Sequence, residues 1–152
     1  MKDVRTGEFT DLVIAGNTTV NGQVKGATVQ AGASLAVNGH VDGVIELGDG
    51  AALTVYGTFV PAAVQNLGIV LVGGMLEYPR SKWADLGRFV LSPGTIVNTE
   101  TILGADGTEE ELGGQDRTIN IDGSVWCAWI ESEGRFIPMS ELEAAAARDS
   151  ES

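Results

Sequence analysis

Four short segments of this chain repeat one another at nearly constant spacing. The column that starts at Val20 continues at Val37, Val55 and Val72, with the same step each time except for one extra position between Val37 and Val55. Three further columns keep the same steps, and they read Thr18/Leu35/Leu53/Val70, Gly22/Gly39/Gly57/Gly74 and Val24/Val41/Phe59/Leu76. A repeat of fixed length predicts a solenoid, in which each repeat stacks on its neighbours and no repeat buries its apolar face alone.

Within one repeat the four columns are two residues apart, so in a strand their members share one face. Three of the columns are aliphatic or nearly so, and these side chains are predicted to point inward. Glycine in the remaining column predicts a corner, where the backbone bends or packs closely. The predicted core columns are Val20, Val37, Val55, Val72, Val24, Val41, Phe59 and Leu76, and the predicted corner glycines are Gly22, Gly39, Gly57 and Gly74.

A second spacing divides each coil into parts. Aliphatic or aromatic residues recur every six positions at Val29, Leu35, Val41, Leu47, Leu53 and Phe59. A coil of seventeen to eighteen positions therefore splits into three strand-plus-corner segments, which predicts a parallel β-helix with a triangular cross-section. One extra residue within 44–50 accounts for the longer step, and we place it at a corner, because a slip inside a strand would turn the inward face outward.

The repeated segments 19–26 and 35–43 resemble the V-x-G-x-V-x-G coils of bactofilins, the polymer-forming cytoskeletal proteins of bacteria. The resemblance covers residues 11–78, roughly half of the chain. It implies a right-handed parallel β-helix whose coils stack end to end into nucleotide-free filaments. Beyond Pro79 the chain departs from the family's repeat.

The acidic balance of the chain limits its partners. Acidic residues outnumber basic ones by 21 to 9, which gives a formal net charge of −12. This charge opposes binding to the phosphate backbones of nucleic acids and to anionic membrane surfaces. We therefore expect no nucleic-acid partner and no membrane insertion, whereas a basic protein has the complementary charge.

Length and composition favour one β-rich domain. A chain of 152 residues can bury a substantial core, and 21 glycines with 43% hydrophobic residues are typical of a turn-rich β protein rather than a disordered one. The N-terminal charges precede no apolar stretch, and the longest apolar stretch, Ile69 to Leu76, is too short to span a bilayer. We expect a cytoplasmic location, and the single Cys127 forms no internal disulfide.

The organisation along the chain is predicted as a repeat region at 1–79 and, within the same domain, a β-rich continuation or cap at 80–152. Residues 1–10 are largely polar, with Phe9 as an apolar anchor, so a tail or cap is predicted there and the first rung is predicted to start at Leu12. Pro79 ends the clean pattern, because proline removes a ladder donor and restricts the residue before it.

The second half is predicted to hold further strands. Segments 88–91 and 95–103 alternate in hydrophobicity, with a turn at 92–94, and an exposed acidic loop follows at 105–116. Segments 117–122 and 124–130 resume strand character, and a turn at 133–134 predicts a hairpin with 135–137. Ser140 and Glu143 form a capping box, which predicts a short C-terminal helix.

Candidate catalytic residues are few. His40 is the single histidine, and its six-residue setting is similar to that of the hexapeptide-repeat acyltransferases, but the strand alternation directs it outward. Cys127 lies between two tryptophans without a nearby histidine, so a packing role is expected. The three glutamates at 109–111 are adjacent residues that point in different directions, so they predict solvation rather than a metal site. We expect no catalytic site, metal or cofactor.

Trp83, Trp126 and Trp129 allow two interpretations. Large aromatic side chains plug the open end of a β-helix, and they are also enriched where a surface binds a partner. The plug is the favoured interpretation, and it predicts that residues after Pro79 cover one end of the solenoid.

Two functions follow as expectations. The first is a non-enzymatic, bactofilin-like scaffold that self-assembles or acts as an assembly platform. The alternative is an acidic binding module, such as an immunity or inhibitor protein, that covers a basic protein partner. The expected partner is the chain itself, as a dimer or higher homo-oligomer, or that basic protein. With one end blocked, the free N-terminal coil can still pair with a second copy into a closed dimer.

Overall fold

A computed structural model describes residues 3–104, 108–111, 126–130 and 135–139 of the chain. These residues are mostly β and wind into a solenoid of about six turns, which confirms the predicted β-solenoid. The strands and the single short 3-10 helix are, in chain order, β1 (Asp3–Ile14), β2 (Asn17–Val29), β3 (Ser34–Leu47), β4 (Ala52–Asn66), β5 (Ile69–Leu76), η1 (Arg80–Leu86), β6 (Phe89–Leu91), β7 (Ile96–Val97), β8 (Thr101–Leu103), β9 (Glu109–Glu111), β10 (Cys127–Ile130) and β11 (Arg135–Pro138).

Strands β1 to β5 stack in parallel, and each makes one long rung of the solenoid. The register between neighbouring rungs is the one that the repeat predicts, since Val20 pairs with Val37, Val37 with Val55, and Val55 with Val72. Inward positions therefore form continuous columns along the solenoid axis. Burial of these columns, rather than any single contact, stabilises the fold.

The extra residue of the third rung lies at a bend. The register between β2 and β3 shifts between Lys25 and Ala27, opposite Gly43 and Val44. Gly43 has a φ of 81°, in the left-handed region that glycine adopts without steric cost. Placing the insertion there keeps the inward columns in phase on both sides of it.

The first rung begins earlier than the sequence predicts. Strand β1 starts at Asp3, which pairs with Thr18, so the predicted tail or cap over residues 1–10 and the predicted start at Leu12 are wrong for the described residues. The register places Gly7 beside Gly22 and Phe9 beside Val24. This step is two positions shorter than the step from Gly22 to Gly39, and the difference concealed the rung.

The stacking also continues beyond Pro79. Phe89 in β6 pairs with Val70, and Val97 in β7 pairs with Leu76, both in parallel. Between β5 and β6 the chain forms the 3-10 helix η1, whose Trp83 and Leu86 are buried. None of the helical residues in the described ranges belongs to a helix long and apolar enough to span a membrane.

Two predictions for the second half need correction. The strand predicted at 95–103 is divided into β7 and β8, which pair antiparallel around Asn98 and Thr99, both at a φ of 52°. The acidic loop predicted at 105–116 contains a strand, because β9 pairs antiparallel with β8. Pairing with a neighbouring strand outweighs the low strand propensity of three glutamates.

The hairpin near the C-terminus is confirmed, with Trp129 of β10 opposite Phe136 of β11. Its predicted turn at 133–134 lies outside the described residues. The strand predicted at 117–122 and the helix predicted from Ser140 also lie outside them.

Candidate functional site at the two ends of the solenoid

The predicted core columns lie in the interior. All eight side chains have no solvent-exposed surface, namely Val20, Val24, Val37, Val41, Val55, Phe59, Val72 and Leu76. Each aliphatic side chain buried in this way contributes about 1.5–3 kcal/mol relative to an exposed one. The middle of the solenoid is therefore a sealed apolar core, and candidate interfaces lie on its outer surface and at its ends.

The predicted corner glycines form one column in which adjacent rungs approach closely. Gly39 has a φ of 150°, and a Cβ added there would overlap the carbonyl oxygen of Gly22 in the preceding rung. The same overlap with the preceding glycine occurs at Gly22, Gly57 and Gly74. At Gly7, in the first rung, an added Cβ meets no atom within 4 Å. The column therefore ends at Gly7, where the next rung would stack.

The N-terminal end of the solenoid is open in the part of the chain that the structure describes. Strand β1 pairs with β2 along one edge, and no described strand pairs along its other edge. An unpaired strand edge presents a row of N–H and C=O groups that can hydrogen-bond a further strand. Here that row extends over the 12 residues of β1. We call this edge the open edge.

The side chains at the open edge differ from those deeper in the solenoid. The register places Arg5 in the Val20 column, so a charged residue takes an inward position in the first rung. Phe9 is partly buried and packs against the core, and Val4 is 58% exposed. An inward charge is one of the devices by which proteins limit indiscriminate pairing at a sheet edge.

The C-terminal end is covered. Strand β6 pairs with β5 in parallel on one side and with β10 antiparallel on the other, where Cys127 lies opposite Leu91. The reversal of direction ends the parallel stack, because a further parallel rung requires the edge that β10 occupies. On the neighbouring side, β8 and β9 cover the edge of β7 in the same antiparallel manner.

Four aromatic side chains close the core at the C-terminal end, two of them from the β10–β11 hairpin, and we call the four the aromatic plug. They are Trp83 from η1, Phe89 from β6, Trp129 from β10 and Phe136 from β11. The Trp83 ring lies 5.4 Å from that of Phe89 and 4.7 Å from that of Trp129, both edge to face. Such pairs contribute about 0.5–1.5 kcal/mol beyond the area that they bury.

Polar contacts hold the plug in place. The Trp83 indole Nε1 donates to the Tyr78 carbonyl oxygen at 2.9 Å. The Arg80 guanidinium lies 4.5 Å from the centre of the Trp83 ring and also pairs with Glu109 of β9. Burial raises the pKa of the Tyr78 phenol, and the Asp85 carboxylate raises it further. The plug therefore ties together η1, β9 and the final hairpin.

The three tryptophans do not share one environment. Trp83 and Trp129 belong to the plug, and Trp83 is only 3% exposed. Trp126 is half-buried and lies on the outer surface, where its ring is 6.4 Å from that of Tyr56. The sequence alone does not separate the three tryptophans, because neither the plug nor the partner-binding interpretation says which of them point inward and which point outward.

The candidate catalytic residues remain apart from one another. His40 is on the outer surface, with its Nε2 atom 3.4 Å from an Asp42 carboxylate oxygen. Cys127 is the first residue of β10 in the hairpin, and it is fully buried. Within the ranges that the structure describes, no three His, Cys, Asp or Glu side chains converge in a way that could hold a metal ion.

One feature that the sequence did not reveal is a groove of about 600 Å³ beside Pro79. Val60 and Pro61 supply apolar wall, and Glu77 and Glu100 supply carboxylates. Among the described residues, neither carboxylate has a hydrogen-bond or ion-pair partner. The part of the sequence that forms this groove is the Asn98–Thr99 turn, which lines it. The Asn98 side chain accepts a hydrogen bond from the Tyr78 N–H at 2.7 Å.

No family model matches this chain, and no curated protein or solved structure matches it. The fold is compatible with a bactofilin-like β-helix. The resemblance rests on the repeat itself.

Proposed function

We propose that this chain is a non-enzymatic structural protein, a bactofilin-like β-solenoid that self-associates through its open edge and acts as an assembly platform. The observation that supports this most is the contrast between the two ends. Strand β1 has an unpaired edge among the described residues, whereas β6 and β7 are paired on both sides. A strand edge of this length favours pairing with another strand over exposure to water.

The pair is closed. Two copies that meet through the same edge are related by a twofold axis, so their β1 strands run antiparallel. Once both open edges are used, the unpaired strand edges that remain among the described residues are those of β9 and β11, which are only 3 and 4 residues long. Growth therefore stops at two, unlike the end-to-end filaments that the family resemblance implies.

We further infer a right-handed coil with a triangular cross-section. Handedness follows from the resemblance and from the general right-handedness of parallel crossovers. The six-residue spacing supports three sides, as do the three buried groups of one rung, which are Leu35 with Val37, then Val41, then Ile45 with Leu47. Each group is separated from the next by a positive-φ glycine, Gly39 or Gly43.

Light scattering at two protein concentrations tests the pairing. A closed dimer gives twice the monomer mass at the higher concentration and no larger species. Arg5→Pro and Thr6→Pro form a matched pair of variants, since each removes one backbone N–H from β1. Consecutive N–H groups of a strand point to opposite edges, so the two variants affect different edges of β1. One variant removes a donor to β2 and lowers the melting temperature, whereas the other removes a donor from the open edge and prevents the dimer without that loss.

Two results would count against this function. If both proline variants kept the parent's dimer, the open edge would not be the interface. If the intact chain scattered as a strict monomer at every concentration, self-association would have to be abandoned.

A second candidate function is supported by the groove beside Pro79. We propose, as the alternative, that the chain binds a basic protein partner there. Glu77 and Glu100 supply two carboxylates without a described partner, while the Arg80 charge is compensated by Glu109. The apolar wall at Val60 and Pro61 suits the methylene stem of a lysine or arginine side chain.

Binding to a lysine-rich peptide tests this alternative. The double variant Glu77→Gln/Glu100→Gln should weaken binding far more than Glu46→Gln/Asp49→Asn, which removes the same charge on a different part of the surface. Equal weakening by both pairs would mean that the net charge of −12 attracts the peptide without a specific groove.

A further inference from the structure

One outward surface of the solenoid lacks charge entirely, and we call it the uncharged face. It consists of the outward positions in the first half of β2, β3 and β4, which alternate with the inward columns: Asn17, Thr19, Asn21, Ser34, Ala36, Asn38, Ala52, Thr54 and Tyr56. In contrast, the outward positions after the corner glycines include Lys25, His40 and Asp42. In a chain with 20% charged residues, nine uncharged outward positions on three adjacent strands indicate a surface suited to a neutral partner.

Hydrogen bonds between rungs fix the amides of this face. The Asn38 side-chain Nδ2 donates to Asn21 Oδ1 at 2.8 Å, and the Ser34 hydroxyl donates to Asn17 Oδ1 at 2.7 Å. A carboxamide offers two donors and a two-lone-pair acceptor, so one such bond leaves further hydrogen-bonding capacity toward solvent. Because the two asparagines hold each other, little rotamer freedom is lost when they bind a ligand.

An aromatic ring follows the asparagines in the same column. Tyr56 pairs in register with Asn38 on one side and with Gly73 on the other. Tyr56 is 45% exposed, and its ring lies 6.4 Å from the ring of Trp126, at an interplanar angle of 50°. The contact holds the tyrosine ring in place while leaving part of it open to solvent.

We propose that the uncharged face binds a neutral, extended, β-linked polysaccharide that lies along the solenoid axis. A pyranose ring has an apolar C–H side that packs on an aromatic ring, and hydroxyl groups at its rim that pair with amides. The rungs are about 4.8 Å apart, close to the length of one sugar unit in such a chain. One sugar therefore packs on Tyr56 while the next two meet Asn38 and Asn21. The acidic surface elsewhere disfavours anionic polysaccharides.

Native gel electrophoresis through polysaccharide gels tests this proposal. The neutral probes are hydroxyethylcellulose, glucomannan and xyloglucan, and carboxymethylcellulose is the anionic probe. The intact chain should be retarded by at least one neutral probe and should pass the anionic gel unretarded. Tyr56→Ala should weaken the retarding affinity by about tenfold, as expected for the loss of one ring contact, and Asn38→Ala should weaken it less.

Thr58→Ala supplies the matched control, because Thr58 is half-buried on the adjoining outward surface. It should bind and melt like the parent, whereas Tyr56→Ala and Asn38→Ala should stay folded with only small losses of melting temperature, from the lost ring contact and the lost hydrogen bond between rungs. The proposal is overturned if no neutral probe retards the parent, or if Tyr56→Ala and Thr58→Ala are retarded equally. It is also overturned if Tyr56→Ala reduces only the oligomer mass, since the face would then bind a second copy instead.

Discussion

The two ends of the solenoid close the same core in different ways. At the N-terminal end, the inward column that contains Val20 and Val55 finishes with Arg5, and the strand edge beyond it is unpaired among the described residues. At the C-terminal end, the same column finishes with Leu91, which lies under Cys127 of an antiparallel hairpin. The comparison indicates that one end is built to stop the stack, and that the other remains available for pairing.

The largest expected difference in stability comes from placing a charge in the inward column that contains Val20 and Val55. Val55→Asp, and likewise Val37→Asp, should leave the chain largely unfolded, because an unpaired buried carboxylate costs several kcal/mol and a small domain has only about 5–15 kcal/mol of stability. Arg5→Asp changes the same column at the open edge, and it should cost no more than about 1 kcal/mol because that position is partly exposed to water. Urea unfolding followed by circular dichroism measures both.

His40→Ala is the neutral control for these variants, since it removes an outward side chain and should melt like the parent. Aspartate variants at Val37 and Val55 that melted like the parent would show that the column assignment is mistaken.

The next comparison separates the plug from the outer surface. Trp83→Ala removes a buried indole from the aromatic plug, so it should lower the free energy of unfolding by about 3–5 kcal/mol. Trp126→Ala removes a half-buried ring that contacts Tyr56, and it should lower that free energy by about 1 kcal/mol. Equal losses in a thermal melt would argue against placing only the first of them in the plug.

A smaller effect is expected in the glycine column. Gly39→Ala adds a Cβ against the carbonyl of Gly22, at a φ that other residues rarely adopt, and it should cost about 2–4 kcal/mol. Gly7→Ala carries the conformational strain without the overlap, so about 1–2 kcal/mol is expected. Both variants are measured by chemical denaturation at a concentration at which light scattering shows a monomer; if Gly7→Ala were the worse variant there, the edge of β1 would not be open in the single chain.

The smallest effect concerns pH at the covered end. Burial raises the Tyr78 pKa above its unfolded value, so the neutral phenol stabilises the fold below the unfolded pKa of about 10. This contribution is lost as the pH rises through the folded pKa. Tyr78→Phe should therefore lose less stability than the parent above about pH 10. Parallel melting curves for Tyr78→Phe and the parent across that range would contradict this assignment.

The central rungs could be predicted from the sequence because one physical constraint acts on each of them. Every rung from β2 to β5 must bury the same positions, so valine and glycine recur at fixed steps and the register follows directly. The rungs at the two ends have a neighbouring rung on one side only, so this constraint on their sequence is weaker. The first rung has Arg5 in place of a valine and a shorter step to the next rung, so its sequence resembles a tail.

The covered end was predicted in kind but not in detail. Strands, tryptophans and a hairpin after Pro79 indicated a cap, and β10 and β11 supply it. The strand at β9 and the groove beside Pro79 depend on long-range pairing, as when β8 meets a run of glutamates. Local propensity carries no information about such partners, so these features required the structure.

The most direct test of the difference between the ends uses two introduced cysteines. The single native cysteine, Cys127, is fully buried and does not compete with them for a thiol reagent. In the double variant Thr6→Cys/Ser81→Cys, one new thiol replaces an exposed residue of β1 at the open edge, and the other replaces an exposed residue of η1 at the covered end. Treatment of this variant with a bismaleimide, followed by denaturing electrophoresis, reports every contact between the ends of neighbouring copies. Pairing through the open edge alone predicts a band at twice the chain mass and nothing larger. A ladder of higher multiples would show that the covered end also joins copies, and the closed dimer would then be contradicted.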